Sequence, residues 1–307
     1  MKCKDLLSIA DILPSDIEEI FHVTKELKEW HNKGYDEKCL DGKILGMIFE
    51  KSSMRTRVSF EVAMIQLGGH AIYLTQSDIN LGKREAVKDG ARVLSRYVDG
   101  IAIRTFGQDT IQELARYATV PVINALSDYL HPCQALTDMY TIKEKFGNYT
   151  NIKIAFIGDG NNVARSLAQI CARLGLCFHI ASPKGYELTP DFISKIKQMT
   201  NGSDIIRLYQ DPKEAAEKAH VIYTDTWVSM GQEAEKEVRQ KAFMDFQINS
   251  DILKLARDEV KVMHCLPAHR GEEITDEVID GPHSIVYDQA ENRLHVEKAL
   301  LKLLLRK

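Results

Sequence analysis

Short apolar runs alternate along the chain with stretches of helical periodicity. Nine runs read as strands: ILGMIF (44–49), HAIYLT (70–75), GIAIR (100–104), VPVINA (120–125), IKIAFIG (152–158), CFHIA (177–181), DIIRLY (204–209), HVIYT (220–224) and VKVMHC (260–265). Helical patterns fill most of the gaps. Phe60, Ala63, Met64 and Leu67 fall at i, i+3, i+4, i+7 after the first run, and Val163, Leu167, Ile170 and Leu174 nearly repeat that spacing after IKIAFIG. The alternation predicts an α/β fold with parallel sheets covered by helices on both faces. A polar, glycine-bearing break at Phe146-Gly147-Asn148-Tyr149-Thr150-Asn151 divides the pattern into two sets of four or five β-α units, enough for one open sheet each. From Ala290 to Lys307 the chain reads as one helix able to pack on either domain.

Composition narrows the function classes. The 307 residues suffice for about two domains, and a formal net charge of -4 with no basic-aromatic cluster argues against a nucleic-acid partner. No run of about 18 apolar residues suggests a membrane span. Charges interrupt the N-terminal apolar stretch, so no signal peptide is expected. The six cysteines are scattered without a C-x-x-C pair, unlike a zinc site or a disulfide framework. Several sit inside apolar runs, as buried thiols do in a reduced cytoplasm.

Five segments carry candidate chemistry. Phe49-Glu50-Lys51-Ser52-Ser53-Met54-Arg55-Thr56-Arg57 lies between a strand and a helix start. Free N–H groups, a positive dipole end, two hydroxyls and two guanidiniums there make a phosphate cradle without P-loop glycines. An ordinary capped helix with solvated arginines would read similarly. His131-Pro132-Cys133-Gln134 follows another strand, and Arg104 ends a third. Donors at three strand ends of one half suit an anionic, carbonyl-bearing ligand. Alone, His131 would read equally as a helix cap or a core histidine. Gly158-Asp159-Gly160-Asn161-Asn162-Val163 resembles a dinucleotide-binding turn, but Val163 stands at the third glycine position. No acid for a ribose follows CFHIA, so the glycines are assigned to the turn, and Asn161 or Asn162 to a ligand or to no ligand at all. Asp225 ends a strand and suits an ammonium partner, with Ser229-Met230-Gly231 as a candidate mobile loop or a capping turn. Cys265, in His264-Cys265-Leu266-Pro267-Ala268-His269-Arg270-Gly271, reads as a ligand-binding thiol, with nucleophilic and purely structural roles as alternatives.

The segments FEKSSMRTRVSFE, HPCQALTD, GDGNN, TDTWVSMG, HCLPAHRGEE and DQAENR occur in that order over nearly the whole chain. Together they resemble the aspartate/ornithine carbamoyltransferase family. The resemblance implies two doubly wound domains with a cleft between them: residues 1–146 and 290–307 for carbamoyl phosphate, and 147–289 for ornithine. It also implies a C-terminal helix returning to the first domain. It implies transfer of a carbamoyl group without metal or cofactor, in the cytoplasm, by a homotrimer or an assembly of trimers. Ser53, Met54, Arg55 and Thr56 would hold the phosphate, with Arg57 supporting the loop. Arg104, His131 and Gln134 would take the carbamoyl end, with Arg104, His131 and Thr56 polarising its carbonyl. Asn80 would reach a neighbouring subunit's site, and Arg293 would contact carbamoyl phosphate from the C-terminal segment. Asn162, Asp225, Ser229 and Met230 would hold ornithine. Cys265 and Leu266 would line the cleft near the reacting amine and contact carbamoyl phosphate, and Cys265, counted among the catalytic groups, would with Asp225 tune that amine's deprotonation. Met54 and Asn80 stand where the family often has Thr and Gln. The SMG and HCLP segments favour ornithine over aspartate. Putrescine is the closer rival, and a non-catalytic carbamoyl phosphate binder is the rival from another class.

Overall fold

The structure, a computed structural model, describes residues 3–79, 81–82 and 85–306. Asn80 lies outside them. The chain divides into two compact units, Met1–Tyr140 with Glu291–Lys307, and Thr141–Ala290.

The first unit holds a four-stranded sheet of β1 (Ile44–Phe49), β2 (His70–Thr75), β3 (Gly100–Arg104) and β4 (Val122–Leu126). The second holds five strands: β5 (Ile154–Ile157), β6 (Phe178–Ala181), β7 (Ile206–Tyr209), β8 (Val221–Thr224) and β9 (Lys261–His264). Each predicted run therefore matches a strand to within two residues at either end. β4 begins only after Pro121, which has no N–H for the ladder, and runs on through Leu126. All pairings are parallel, in the orders β2-β1-β3-β4 and β7-β6-β5-β8-β9. Strand order thus reverses between β1 and β3 in one sheet and between β5 and β8 in the other. Both sheets are doubly wound, and ligand crevices in such sheets open at the carboxyl ends flanking the reversal.

Burial follows position in the sheet. Leu45, Met47, Ile48 and Phe49 of the central strand β1 are all buried, as a strand covered on both faces requires. The edge strand β2 contributes only exposed and half-buried side chains. In the helix Met54–Gln66, Phe60, Ala63 and Met64 turn inward, followed by buried Leu67, the stripe expected from their spacing. The helix Asn162–Leu174 buries Val163, Leu167 and Ile170, and ends at Gly175, whose φ of 69° closes it in the left-handed conformation.

The C-terminal helix spans Val286–Leu305, and from Glu291 onward belongs to the first unit. Lys28 Nζ donates to Asn292 at 2.7 Å and Lys298 Nζ to Asp36 at 2.8 Å. Val296, Leu300, Leu301 and Leu304 are buried. The helix therefore returns to the first domain, as the resemblance implied. Among the described residues, no helix is long and apolar enough to cross a membrane.

In the second unit Phe156 stacks on Tyr223 at 5.5 Å between centroids and is fully buried. Phe156→Ala is expected to cost about 3–5 kcal/mol, read as a lower denaturant midpoint. Leu208→Ala, at a half-exposed position of the same sheet, should change stability by less than about 0.5 kcal/mol. Equal effects would mean that the β5–β8 core is not where stability concentrates.

Candidate active site

Parallel register sets the first cluster. Phe49 pairs with Arg104 across β1 and β3, so the loop after β1 and the Arg104 side chain leave the sheet side by side at its reversal point. Arg104 Nε donates to the Lys51 carbonyl at 3.2 Å, tying strand end to loop. Ser53 caps the next helix. Its hydroxyl oxygen accepts from Thr56 N–H at 3.3 Å, and its hydroxyl hydrogen goes to Thr56 Oγ1 at 3.1 Å. Met54 is 69% exposed, Arg55 half-buried and Thr56 fully buried.

Arg293 reaches this helix start from the C-terminal helix. Its guanidinium donates to Thr56 Oγ1 at 3.2 Å, to Gln134 Oε1 at 3.2 Å and to Glu297 Oε1 at 2.9 Å. Thr56 Oγ1 therefore already accepts twice, and its own hydrogen is what remains for a further partner. Gln134 Nε2 donates to Asp138 at 2.8 Å. His131 is buried beside these groups. Burial first, then the positive charges of Arg293 and Arg104, hold its imidazole well below the ordinary value, so it is neutral. Arg57 pairs with Glu61 at 2.9 Å and lies over the Tyr73 ring at 4.0 Å.

The second cluster forms at the other reversal point. After β5 the turn Gly158–Asn161 runs into the helix Asn162–Leu174. A Cβ at Gly160 would lie 2.6 Å from Leu188 N and 2.7 Å from the Glu187 carbonyl carbon, so the neighbouring backbone admits only glycine there. Asn161 caps the helix, its Oδ1 accepting from Val163 and Ala164 N–H at 3.0 and 3.1 Å. Its amide donates to Asp225 Oδ2 at 2.7 Å. The Cys265 thiol, just past β9, donates to Asp225 Oδ1 at 3.0 Å. Three sequence-predicted segments thus meet on one buried carboxylate. Asn162, the first helical residue, is half-buried. Ser229 is half-buried and Met230 48% exposed, in a loop where Ser229 N–H donates to Gln232 Oε1 at 3.1 Å. Leu266 takes φ of 57° ahead of a cis bond to Pro267.

The carbamoyl-P binding domain of the aspartate/ornithine carbamoyltransferases matches residues 4–144, and their Asp/Orn binding domain matches residues 150–304. The chain belongs to the aspartate/ornithine carbamoyltransferase family. It is 52% identical to an ornithine carbamoyltransferase of Archaeoglobus fulgidus, over 99% of this chain and 98% of that protein. The structure of the ornithine carbamoyltransferase from Pyrococcus furiosus superposes with a TM-score of 0.94 at 51% identity, covering 98% of this chain and 96% of that one. The anabolic ornithine carbamoyltransferase from Campylobacter jejuni gives 0.92 at 40%, covering 98% and 99%.

Several residues of this carbamoyltransferase's clusters escaped the sequence reading. Glu297 and Asp138 were missed, although each stands four positions after a partner on the same helix, Arg293 and Gln134, the spacing that brings side chains together. Arg239 was also missed. It is buried, donates to Trp227 O at 2.6 Å and pairs with Asp159, so it links the turn after β5 to the segment after β8. No local pattern marks it.

Glu297 generates a pH prediction. Burial pushes its carboxyl up, and Arg293 is the first group opposing that shift. A carboxyl that binds its proton more tightly folded than unfolded penalises folding as pH rises through the window between the two values. Arg293→Ala extends that window upward. The variant should lose about 3–5 kcal/mol at neutral pH, and visibly less at about pH 5 than at about pH 8. Unfolding midpoints at both pH values test this, and an identical loss would remove Glu297 as its source.

Proposed function

We propose that this chain is an ornithine carbamoyltransferase, converting carbamoyl phosphate and L-ornithine to L-citrulline and phosphate by direct acyl transfer. The observation that carries the reading is the donor cluster at the β1/β3 reversal. Arg104, a neutral buried His131, and a Thr56 hydroxyl with one hydrogen to give stand beside a capped helix start. That set suits a phosphate joined to a polarised carbonyl. The names of the relatives agree with it, and the anabolic Campylobacter jejuni enzyme favours a role in arginine biosynthesis.

The electrophile belongs to the first domain, residues 1–146 and 290–307. Arg55 and the backbone N–H groups at Ser53, Met54 and Thr56 take the phosphate. The hydroxyl hydrogen of Ser53 is committed to Thr56, so its contribution falls to the backbone. Arg104, His131 and Thr56 donate to the carbonyl oxygen. Gln134 holds the carbamoyl amide, and Arg293 both contacts the donor and orients Thr56 and Gln134. Asn80 completes the set from a neighbouring subunit of a homotrimer. The amine belongs to the second domain, residues 147–289, where Asn162, Asp225, Ser229 and Met230 bind ornithine's α-groups and Cys265 and Leu266 flank its δ-nitrogen.

The neutral δ-amine attacks the carbonyl carbon, and the electron pair of the C=O bond moves to oxygen. That oxyanion is met by donors already in place, so little reorganisation is needed. The tetrahedral carbon then re-forms its double bond and expels phosphate, which leaves with the C–O pair and takes the amine's proton. A neutral His131 stabilises the oxyanion as an N–H donor and stays neutral throughout. The enzyme acts in the cytoplasm.

Product formation with ornithine, putrescine and aspartate, measured side by side, tests the reading. Strong preference for ornithine is expected; preference for putrescine would overturn the second domain's assignment, and no turnover with any acceptor would overturn the enzyme reading. Thr56→Val removes one oxyanion donor and should lower kcat roughly 100- to 1000-fold, and an unchanged kcat would exclude Thr56 from that role.

A further inference from the structure

His264, the last residue of β9, and Glu273, nine positions on, are both fully buried. Leu266 N–H lies 2.8 Å from His264 Nδ1. A backbone N–H only donates, so Nδ1 is the bare nitrogen and the ring proton sits on Nε2. Nε2 faces Glu273 Oε1 at 3.2 Å, and the same oxygen accepts His269 N–H at 2.5 Å. A single carboxylate therefore closes the loop that leaves β9 and returns. Inside that loop Leu266 has a left-handed backbone, φ 57°, which a branched side chain seldom adopts unless its surroundings impose it. Between the two anchored residues stands Cys265, with its thiol on Asp225.

We propose that Glu273 is a positioning residue for the transfer reaction, acting through the tautomer of His264. By accepting from Nε2–H it leaves Nδ1 free to accept Leu266 N–H. That bond holds the turn in its left-handed form and keeps the Cys265 thiol on the Asp225 carboxylate. The opposite tautomer would set Nδ1–H against Leu266 N–H, donor to donor, and would release the turn. The inference rests on the acceptor-binding reading of the second domain. Glu273 touches neither substrate in that reading, and its effect passes through His264, Leu266 and Cys265.

The test uses the full-length enzyme labelled with 15N-histidine. The His264 ring-nitrogen shifts should report a neutral Nε2–H tautomer at neutral pH, and an Nδ1–H or doubly protonated ring would overturn the proposal. Glu273→Gln still offers an oxygen to His264 and His269, and should keep that tautomer and near-parental kcat and KM for ornithine. Glu273→Ala should lose the single tautomer and lower kcat roughly 10- to 100-fold, the scale expected when a reacting group is misplaced by about an ångström. Its affinity for inorganic phosphate, measured by calorimetry, should stay at the parental value, because the proposed phosphate groups all lie in the first domain. A parental kcat in Glu273→Ala, an equal loss in Glu273→Gln, or a parallel loss of phosphate binding would each overturn the positioning role. Should Glu273→Ala fail to fold, the parental tautomer and the Glu273→Gln kinetics still decide. The tautomer is read without turnover, so the two failures separate: an inactive parent enzyme that keeps the Nε2–H tautomer would sink the activity reading, and an active one with the other tautomer would sink the positioning role.

Discussion

In a parallel sheet every strand delivers its following loop to the same edge, and right-handed crossovers then carry the chain over one face or the other. Where strand order reverses, neighbouring loops part to opposite faces and the edge between them stays uncovered. This chain meets that constraint twice, between β1 and β3 and between β5 and β8. Its chemistry-bearing side chains gather at those points. The pairing of Phe49 with Arg104 puts a guanidinium beside the helix start capped by Ser53. The pairing of β5 with β8 does the same for Asn161 and Asp225.

Each cluster must then solve an electrostatic problem. In the first, two guanidiniums and an imidazole crowd a poorly hydrated space. Charging all three would be costly, and His131 meets the cost by staying neutral. Arg293 keeps its charge as guanidiniums do, and donates to Glu297, itself fully buried one helical turn away. The pair adds little to stability compared with apolar side chains of the same shape. What it contributes is orientation, since the same guanidinium fixes Thr56 and Gln134. In the second cluster a single carboxylate, Asp225, takes an amide on one oxygen and a thiol on the other. Helix cap, strand end and the turn after β9 are thereby joined through one group.

Much of this could be read from the chain directly. Runs of β-branched and aliphatic residues at short spacing marked all nine strands; the central ones are apolar because both faces are buried, while the edge strands β2 and β7 carry such runs with only partial cover. The stripe Phe60, Ala63, Met64 and Leu67 marked the inward face of its helix. Ser53, Arg104, His131, Asp225 and Cys265 stood out because each sits where a predicted strand ends or a predicted helix begins. The choice between Asn161 and Asn162 was not legible. Both suit a cap, and only the structure shows Asn161 committed to the helix end and to Asp225.

The sequence by itself determined the order and kind of the elements, the parallel α/β class and the family, because periodicity and motif order are properties of neighbours along the chain. Which residues share a charge, a proton or a hydrogen bond was decided by the tertiary structure. Thr56 meets Arg293 across 237 positions, Asn161 meets Asp225 across 64, and Cys265 meets Asp225 across 40. Partners that far apart are brought together by strand order and register, and burial then sets the strength of each contact by removing the water that would otherwise compete for it.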